Sequence, residues 1–82
     1  MLSRDEIYEK LKVYLLEMFE VPPEKVSFEA RLAEDFDLDS IDAVDLIVRL
    51  QELTSRKFNP EEFKSVRTVG DVVERVYALL ET

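Results

Sequence analysis

Apolar residues recur at spacings of three and four along most of this chain, and prolines interrupt the repeat in two places. Such spacing places side chains on one face of an α-helix. The first stretch ends at Val21-Pro22-Pro23, because proline supplies no amide hydrogen and crowds the preceding turn. Its apolar face comprises Ile7, Leu11, Tyr14, Leu15 and Met18. The pattern predicts a first helix from about Ser3 to about Phe19, with Ser3 and Glu6 forming a capping box.

A second helix is predicted to begin at Asp39 or Ser40 and to end near Thr54. Asp39 is a favourable N-cap residue, and Asp42 occupies the third helical position, where a carboxylate can return a hydrogen bond to the cap. A long connection, from about Glu20 to Asp39, separates the first two helices. Loops of this length are functional or are packed down by their own side chains, so we expect single apolar anchors to order it. These anchors are Val26, Phe28, Leu32, Phe36 and Leu38.

Two shorter stretches complete the set of predicted elements. In the run Asn59-Pro60-Glu61-Glu62, Asn caps a short third helix, Pro pre-sets its first turn and the acids suit the positive end of the dipole. A fourth helix is predicted after Thr68, with Asp71 completing a capping box. Its buried face comprises Val69, Val72, Val73, Val76 and Leu80. The sequence therefore predicts an all-α fold, a small four-helix bundle of three longer helices and one short helix with a long first loop, in one domain over residues 1–82.

Net charge and missing residue types exclude several functions. The chain has 82 residues with no Cys and no His, which removes thiolate chemistry, the commonest general base and the usual zinc ligands. A formal net charge of −8 disfavours nucleic acid and anionic membranes and favours basic protein partners. There is no apolar run long enough to span a bilayer and no basic-then-apolar leader, so we expect a cytoplasmic monomer without stable membrane insertion.

The second helix has more apolar surface than one buried face requires. One stripe comprises Ala43, Leu46, Ile47, Leu50 and Leu53, and a second stripe beside it comprises Ile41, Val44 and Val48. The narrow remaining face comprises Asp42, Asp45, Arg49 and Glu52. Two interpretations stay open: a central helix buried on several sides, or an apolar strip exposed between acids as a docking surface.

The run Asp35-Phe36-Asp37-Leu38-Asp39-Ser40-Ile41-Asp42 leads into this helix. It resembles the prosthetic-group site of acyl carrier proteins, which carry an Asp-Ser-Leu signature at the start of their second helix. The tripeptide alone is a weak signal. The resemblance continues, however, in the same order and at similar lengths, through the first helix, the loop around Val26, residues 42–50, 60–62 and 68–69. Nearly the whole chain is covered.

The resemblance implies a carrier and not an enzyme. Ser40 would receive 4′-phosphopantetheine from coenzyme A through a separate phosphopantetheinyl transferase, with Asp39 flanking the attachment point. The arm would carry acyl intermediates as thioesters to fatty-acid or polyketide- and polyene-type biosynthetic enzymes of lipid metabolism. A phosphodiester at a helix N-terminus is physically favourable, because free amide hydrogens and the helix dipole stabilise negative charge there.

The resemblance, taken with the stripes described above, also assigns roles to the second helix. Acyl-processing enzymes with basic docking surfaces would contact Ile41, Asp42, Val44, Asp45, Val48 and Glu52. An acyl chain folding back between the helices would meet Leu46, Ile47, Leu50 and Phe63. Where many family members have Gly before the Asp-Ser pair, this chain has Asp37 and Leu38.

Two departures from the family pattern lead to expectations of their own. Arg49 lies four residues after Asp45, so the two could pair and partly neutralise the acidic face, an interaction worth only ~0.3–0.5 kcal/mol. Phe63 stands where a small residue is common in the family. Its ring predicts poor sequestration of long saturated chains.

Parts of the sequence also fit functions other than a carrier. Asp35, Asp37 and Asp39 match the opening of a calcium-binding loop, but Ser40 and Leu46 stand where that loop needs Gly and a bidentate Glu, so no metal site is predicted. Aspartyl phosphotransfer needs a sheet-anchored metal cavity, and no strand is predicted. A carrier of nonribosomal peptide type, and an unmodified helical interaction module with weak cation binding, stay open.

Overall fold

Helices make up most of the structure, a computed structural model that describes residues 2–80 apart from the side chain of Pro60. The four α-helices are α1 (Arg4–Phe19), α2 (Leu32–Phe36), α3 (Ser40–Thr54) and α4 (Val69–Leu80), and single 3₁₀ turns lie at Pro23–Lys25 and Pro60–Phe63. No strand is found within residues 2–80; one isolated bridge joins Arg31 to Thr68. The predicted all-α fold with three long helices and one short helix is therefore confirmed.

The short α-helix lies where the sequence predicted a loop. α2 falls inside the long connection, whereas the predicted short helix after Asn59 is one 3₁₀ turn. Arg31, the residue before α2, offers no capping side chain, so the usual start signal is missing. Instead Asp35 Oδ2 accepts from the Arg31 amide at 2.7 Å, and the Leu32 amide donates to the Arg67 carbonyl at 2.9 Å. A backbone hydrogen bond to a distant segment thus helps to start a helix for which the local sequence contains no cap signal.

α1 packs on both α3 and α4, and the predicted apolar faces of these three helices share one core. α1 contributes the fully buried Ile7, Leu11 and Leu15. The other helices contribute Leu46, Ile47 and Leu50 from α3 and Val69, Val72, Val73 and Val76 from α4. These residues and the buried loop anchors form one hydrophobic cluster. Within residues 2–80, no helix combines the length and apolar character needed to cross a bilayer.

Phe28 anchors the long connection without being buried. Its ring is 39% exposed and stacks on Tyr8, with centroids 4.4 Å apart. Its carbonyl accepts from the Gly70 amide at 2.9 Å. A Cβ at Gly70 would stand 3.0 Å from that oxygen, which explains why the single glycine of the chain lies at the start of α4.

The predicted capping box at the start of α4 is present. Asp71 Oδ2 accepts from the backbone amides of Arg67 and Thr68, each at 3.1 Å, and Thr68 Oγ1 accepts from the Asp71 amide at 3.1 Å. The hydrogen bonds from these two amides lower the pKa of Asp71 below its usual value, and the bond from the Arg67 amide has the larger effect. The folded protein therefore binds a proton here less readily than the unfolded chain does.

We expect Asp71→Asn to destabilise the protein at neutral pH by about 0.5–1 kcal/mol, since this surface carboxylate caps a helix. Because the folded pKa is depressed, the stabilisation is present above the unfolded value and disappears as pH falls through the folded value. The difference between wild type and variant should shrink on acidification. Urea unfolding at pH 7 and pH 3 measures it, with Glu24→Gln as a surface control. A difference that is equal at both pH values would contradict the assignment.

Candidate functional site

Ser40 is the first residue of α3, and its side chain is exposed. Asp39 precedes it as the N-cap and forms the predicted capping box with Asp42. Asp39 Oδ1 accepts from the Asp42 amide at 2.9 Å, and Asp42 Oδ2 accepts from the Asp39 amide at 3.2 Å. The helix start is therefore fixed by the two aspartates, which leaves the Ser40 hydroxyl out of the cap.

The segment before Ser40 is held by a turn that closes α2. Asp37 adopts the left-handed conformation at φ 60°, the region that glycine occupies most easily. The Leu38 amide then donates to the Leu32 carbonyl at 3.1 Å, and the Leu38 side chain is buried. Aspartate tolerates this conformation better than most residues, so the turn forms without glycine. The buried Leu38 side chain therefore holds the residues just before Ser40 against the core.

The start of α3 suits a bound anion. The amides of Ser40 and Ile41 donate to no acceptor within residues 2–80, as expected for the first turn of a helix. Aligned peptide dipoles make this end positive. An ester of phosphate on the Ser40 oxygen would lie beside these amide hydrogens, so the site fits a phosphopantetheine arm.

A cleft of about 530 Å³ opens beside Ser40. Its walls come from α2, the first half of α3 and the segment between Glu61 and Arg67. Of the predicted acyl-pocket residues, Ile47 and Phe63 line it. Leu46 and Leu50 face the core instead, with 2% and 0% of their surface exposed. The cleft is mainly apolar below its rim, as ligand sites usually are.

Phe58 supports the wall of the cleft and was not identified by sequence reasoning. Its ring packs on Phe63 with centroids 5.9 Å apart, and its amide donates to Gln51 Oε1 at 2.6 Å. A signal was available in the sequence. Phe58 directly precedes the cap Asn59, and Phe63 is the fourth residue after that cap, the spacing of a hydrophobic staple.

The second apolar stripe of α3 is exposed to solvent. Ile41 is 71% exposed, Val44 40% and Val48 44%. Asp45 and Glu52 lie exposed on the same side of the helix. The stripe and acids therefore form one continuous outer face, and α3 is not a helix buried on all sides.

The expected pairing of Asp45 with Arg49 is wrong. Arg49 reaches toward α1, where Nη2 lies 3.7 Å from Glu17 Oε1 and the guanidinium lies 5.2 Å from the centre of the Tyr14 ring. Packing against an aromatic ring on the neighbouring helix competes successfully with a weak pair along one helix. Asp45 consequently stays exposed on the outer face without Arg49 as a partner.

The acidic residues before α3 do not converge. Within residues 2–80, no group of three or more carboxylates is placed to hold a metal ion. Glu34 and Asp35 pair with Arg31, at 2.8 and 3.5 Å, while Asp39 and Asp42 cap each other.

Comparisons with known proteins agree with this geometry. The chain matches the phosphopantetheine attachment site family over residues 9–76. It is 53% identical over 79 residues to acyl carrier protein 2 of Ralstonia nicotianae, covering 96% of this chain and 98% of that protein. It is 40% identical over 73 residues to the acyl carrier protein of Thermosynechococcus vestitus, covering 89% and 90%. A solved acyl carrier protein from Enterococcus faecalis shares the fold, with a TM-score of 0.76 at 19% identity over 94% of this chain and 98% of that one.

Fold and family match together define a carrier of a covalent prosthetic arm. The chain belongs to the acyl carrier protein family. It is accordingly a carrier rather than a catalyst, and its prosthetic group is a covalently attached 4′-phosphopantetheine. It interacts with a phosphopantetheinyl transferase and with acyl-processing enzymes.

Proposed function

We propose that the arm is attached to Ser40. The observation that carries this assignment is an exposed serine at the first position of α3, beside two amides that donate to no acceptor within residues 2–80. Asp39 and Asp42 hold the helix start independently of the serine hydroxyl, so Ser40 can be esterified without loss of the cap. When bound, the arm supplies the thiol on which acyl groups are carried as thioesters. The chain itself orients the attachment point.

Peptide mapping tests the assignment directly. Trypsin cleavage after Arg31 and Arg49 yields a peptide in which Ser40 is the single hydroxyl-bearing residue. Incubation with coenzyme A and a broad-specificity phosphopantetheinyl transferase should add one phosphopantetheine mass to that peptide and to no other. A modified peptide from elsewhere in the chain would refute the proposal.

The outer face of α3 is proposed to dock the partner enzymes. Its exposed apolar stripe lies beside carboxylates, which is the composition expected for contact with a partner surface that is both basic and apolar. The set comprises Ile41, Asp42, Val44, Asp45, Val48 and Glu52. Because Arg49 turns toward α1, the acidic character of this face is stronger than the sequence alone indicated.

We expect Val44→Lys to weaken binding of the transferase roughly tenfold, because a like-charged ammonium would face basic partner residues at an apolar contact. Val13→Lys is the matched control, since Val13 on α1 is 46% exposed against 40% for Val44. Calorimetry or surface binding at low and high salt measures both effects. Binding should also weaken as salt screens the charges over ~8 Å. Equal losses in the two variants, or affinity that salt leaves unchanged, would argue against docking on α3.

The pathway is proposed to be fatty-acid or polyketide-type acyl synthesis. The similar proteins from Ralstonia and Thermosynechococcus are named acyl carrier proteins, which favours an acyl carrier over a nonribosomal peptide carrier. The cytoplasmic location and monomeric state expected from the sequence stay predictions. Cell fractionation and sedimentation would test them.

A further inference from the structure

The rim of the cleft beside Ser40 carries cations that the carrier role does not use. Lys64 and Arg67 both line the cleft, on the segment that joins Phe63 to α4. Lys64 Nζ lies 3.9 Å from Glu61 Oε1, in a highly exposed pair. Arg67 forms no salt bridge within residues 2–80, although its charge contributes to the lowered pKa of Asp71. Arg67 therefore remains able to bind an anion.

The carboxylates that line the same cleft already have ionic or hydrogen-bonding partners. Glu34 lies 2.8 Å from Arg31, and Asp39 accepts from the Asp42 amide. Arg67, which forms no salt bridge within residues 2–80, lines the cleft together with an apolar wall that includes Ile47 and Phe63. An apolar wall with one cationic rim position favours a ligand with a short apolar body and an anionic end.

The wall also limits how far a ligand can extend. The α3 residues that line the cleft end at Ile47, seven residues after Ser40, which corresponds to roughly 10 Å along a helix. Beyond this point Leu50 is fully buried, and the lining of the cleft includes the buried ring of Phe63, which packs on Phe58. The cleft therefore has room for a short acyl group but offers no groove that a long straight chain could follow.

We propose that Arg67 is a specificity-determining residue that favours short acyl groups ending in a carboxylate over neutral acyl groups of the same length. The proposal rests on attachment at Ser40, which brings the cargo to this cleft. Arg67 pairs with the terminal carboxylate while the methylene groups lie against the apolar wall. The phosphate of the arm is a second anion tethered at Ser40, so the test must separate the two.

The test compares succinyl and butyryl forms, which have the same carbon count, with the unacylated holo form. All three are prepared from the corresponding coenzyme A species, and intact mass confirms loading before any comparison. Failure to load would count against attachment at Ser40 and not against the role of Arg67. The measurement is the rate at which hydroxylamine cleaves each thioester, together with the melting temperature of all three forms.

We expect Arg67→Gln to speed cleavage of the succinyl thioester about threefold, the effect of losing one exposed ion pair, and to leave the butyryl thioester unchanged. Lys57→Gln, the same charge change outside the cleft lining, should alter neither rate. Equal effects of Arg67→Gln on both thioesters would overturn the proposal. If Arg67→Gln lowers the melting temperature of the holo form as much as that of both acyl forms and leaves the cleavage rate of the succinyl thioester unchanged, Arg67 does not pair with the terminal carboxylate and the proposal is overturned. Arg67→Met, which also removes the charge but keeps an unbranched side chain, is the second variant if Arg67→Gln does not fold.

Discussion

Ser40→Ala is expected to abolish phosphopantetheine loading while leaving the fold intact. The hydroxyl is the proposed acceptor. Of the other serines, Ser3 caps α1 through its own hydroxyl, and Ser27, Ser55 and Ser65 lie outside the helices. The cap of α3 is made by Asp39 and Asp42, so alanine at the first helical position should change the free energy of unfolding by less than about 0.5 kcal/mol. Intact mass after transferase treatment measures loading, and urea unfolding measures stability.

Ser65→Ala is the matched control, because Ser65 is also exposed but lies outside any helix. It should load as wild type does. Residual loading of the Ser40→Ala protein would move the attachment site to another residue. Loss of both loading and folding would instead give Ser40 a structural role that its exposed side chain does not indicate.

Phe63→Ala is expected to cost about 3–5 kcal/mol of stability, the usual range for removing a buried ring. Phe63 is 7% exposed and packs on Phe58, and it also lines the cleft beside Ser40. The loss is a large share of the roughly 5–15 kcal/mol that holds a domain together. Thermal and urea unfolding of the apo protein measure it.

Acylated forms of the protein distinguish two roles of the Phe63 ring, closing the cleft to long chains and anchoring the chain. If Phe63 closes the cleft to long chains, a long saturated acyl group should raise the melting temperature of Phe63→Ala more than that of wild type. Phe58→Ala is the control, since Phe58 supports the ring without lining the cleft. An equal shift on acylation in wild type and Phe63→Ala would discard the pocket role and leave an anchor. Phe63→Leu offers a milder change if the alanine variant does not fold.

Local chemistry determined the helix ends and the position of the site. Ser3, Asp39 and Thr68 were each recognisable as caps, because a cap is completed by a carboxylate three residues later in the chain. The structure confirms all three capping boxes. The placement of Ser40 at the start of α3 followed from the same signal. The resemblance to a known family, not periodicity, linked that serine to phosphopantetheine.

Tertiary structure alone decided the features that depend on how helices meet. α2 begins without a capping side chain. Instead, the Leu32 amide donates a hydrogen bond to the Arg67 carbonyl across the fold. Arg49 contacts Tyr14 and Glu17 on α1 instead of pairing with Asp45 on its own helix. The spacing of residues along one helix does not predict such a contact. The cleft likewise joins residues from α2, α3 and the segment around Phe63. Helical periodicity fixes which face of each helix is apolar, but it contains no information on the relative placement of two faces. That placement makes Ile47, itself a core residue, line the cleft, whereas Leu46 does not.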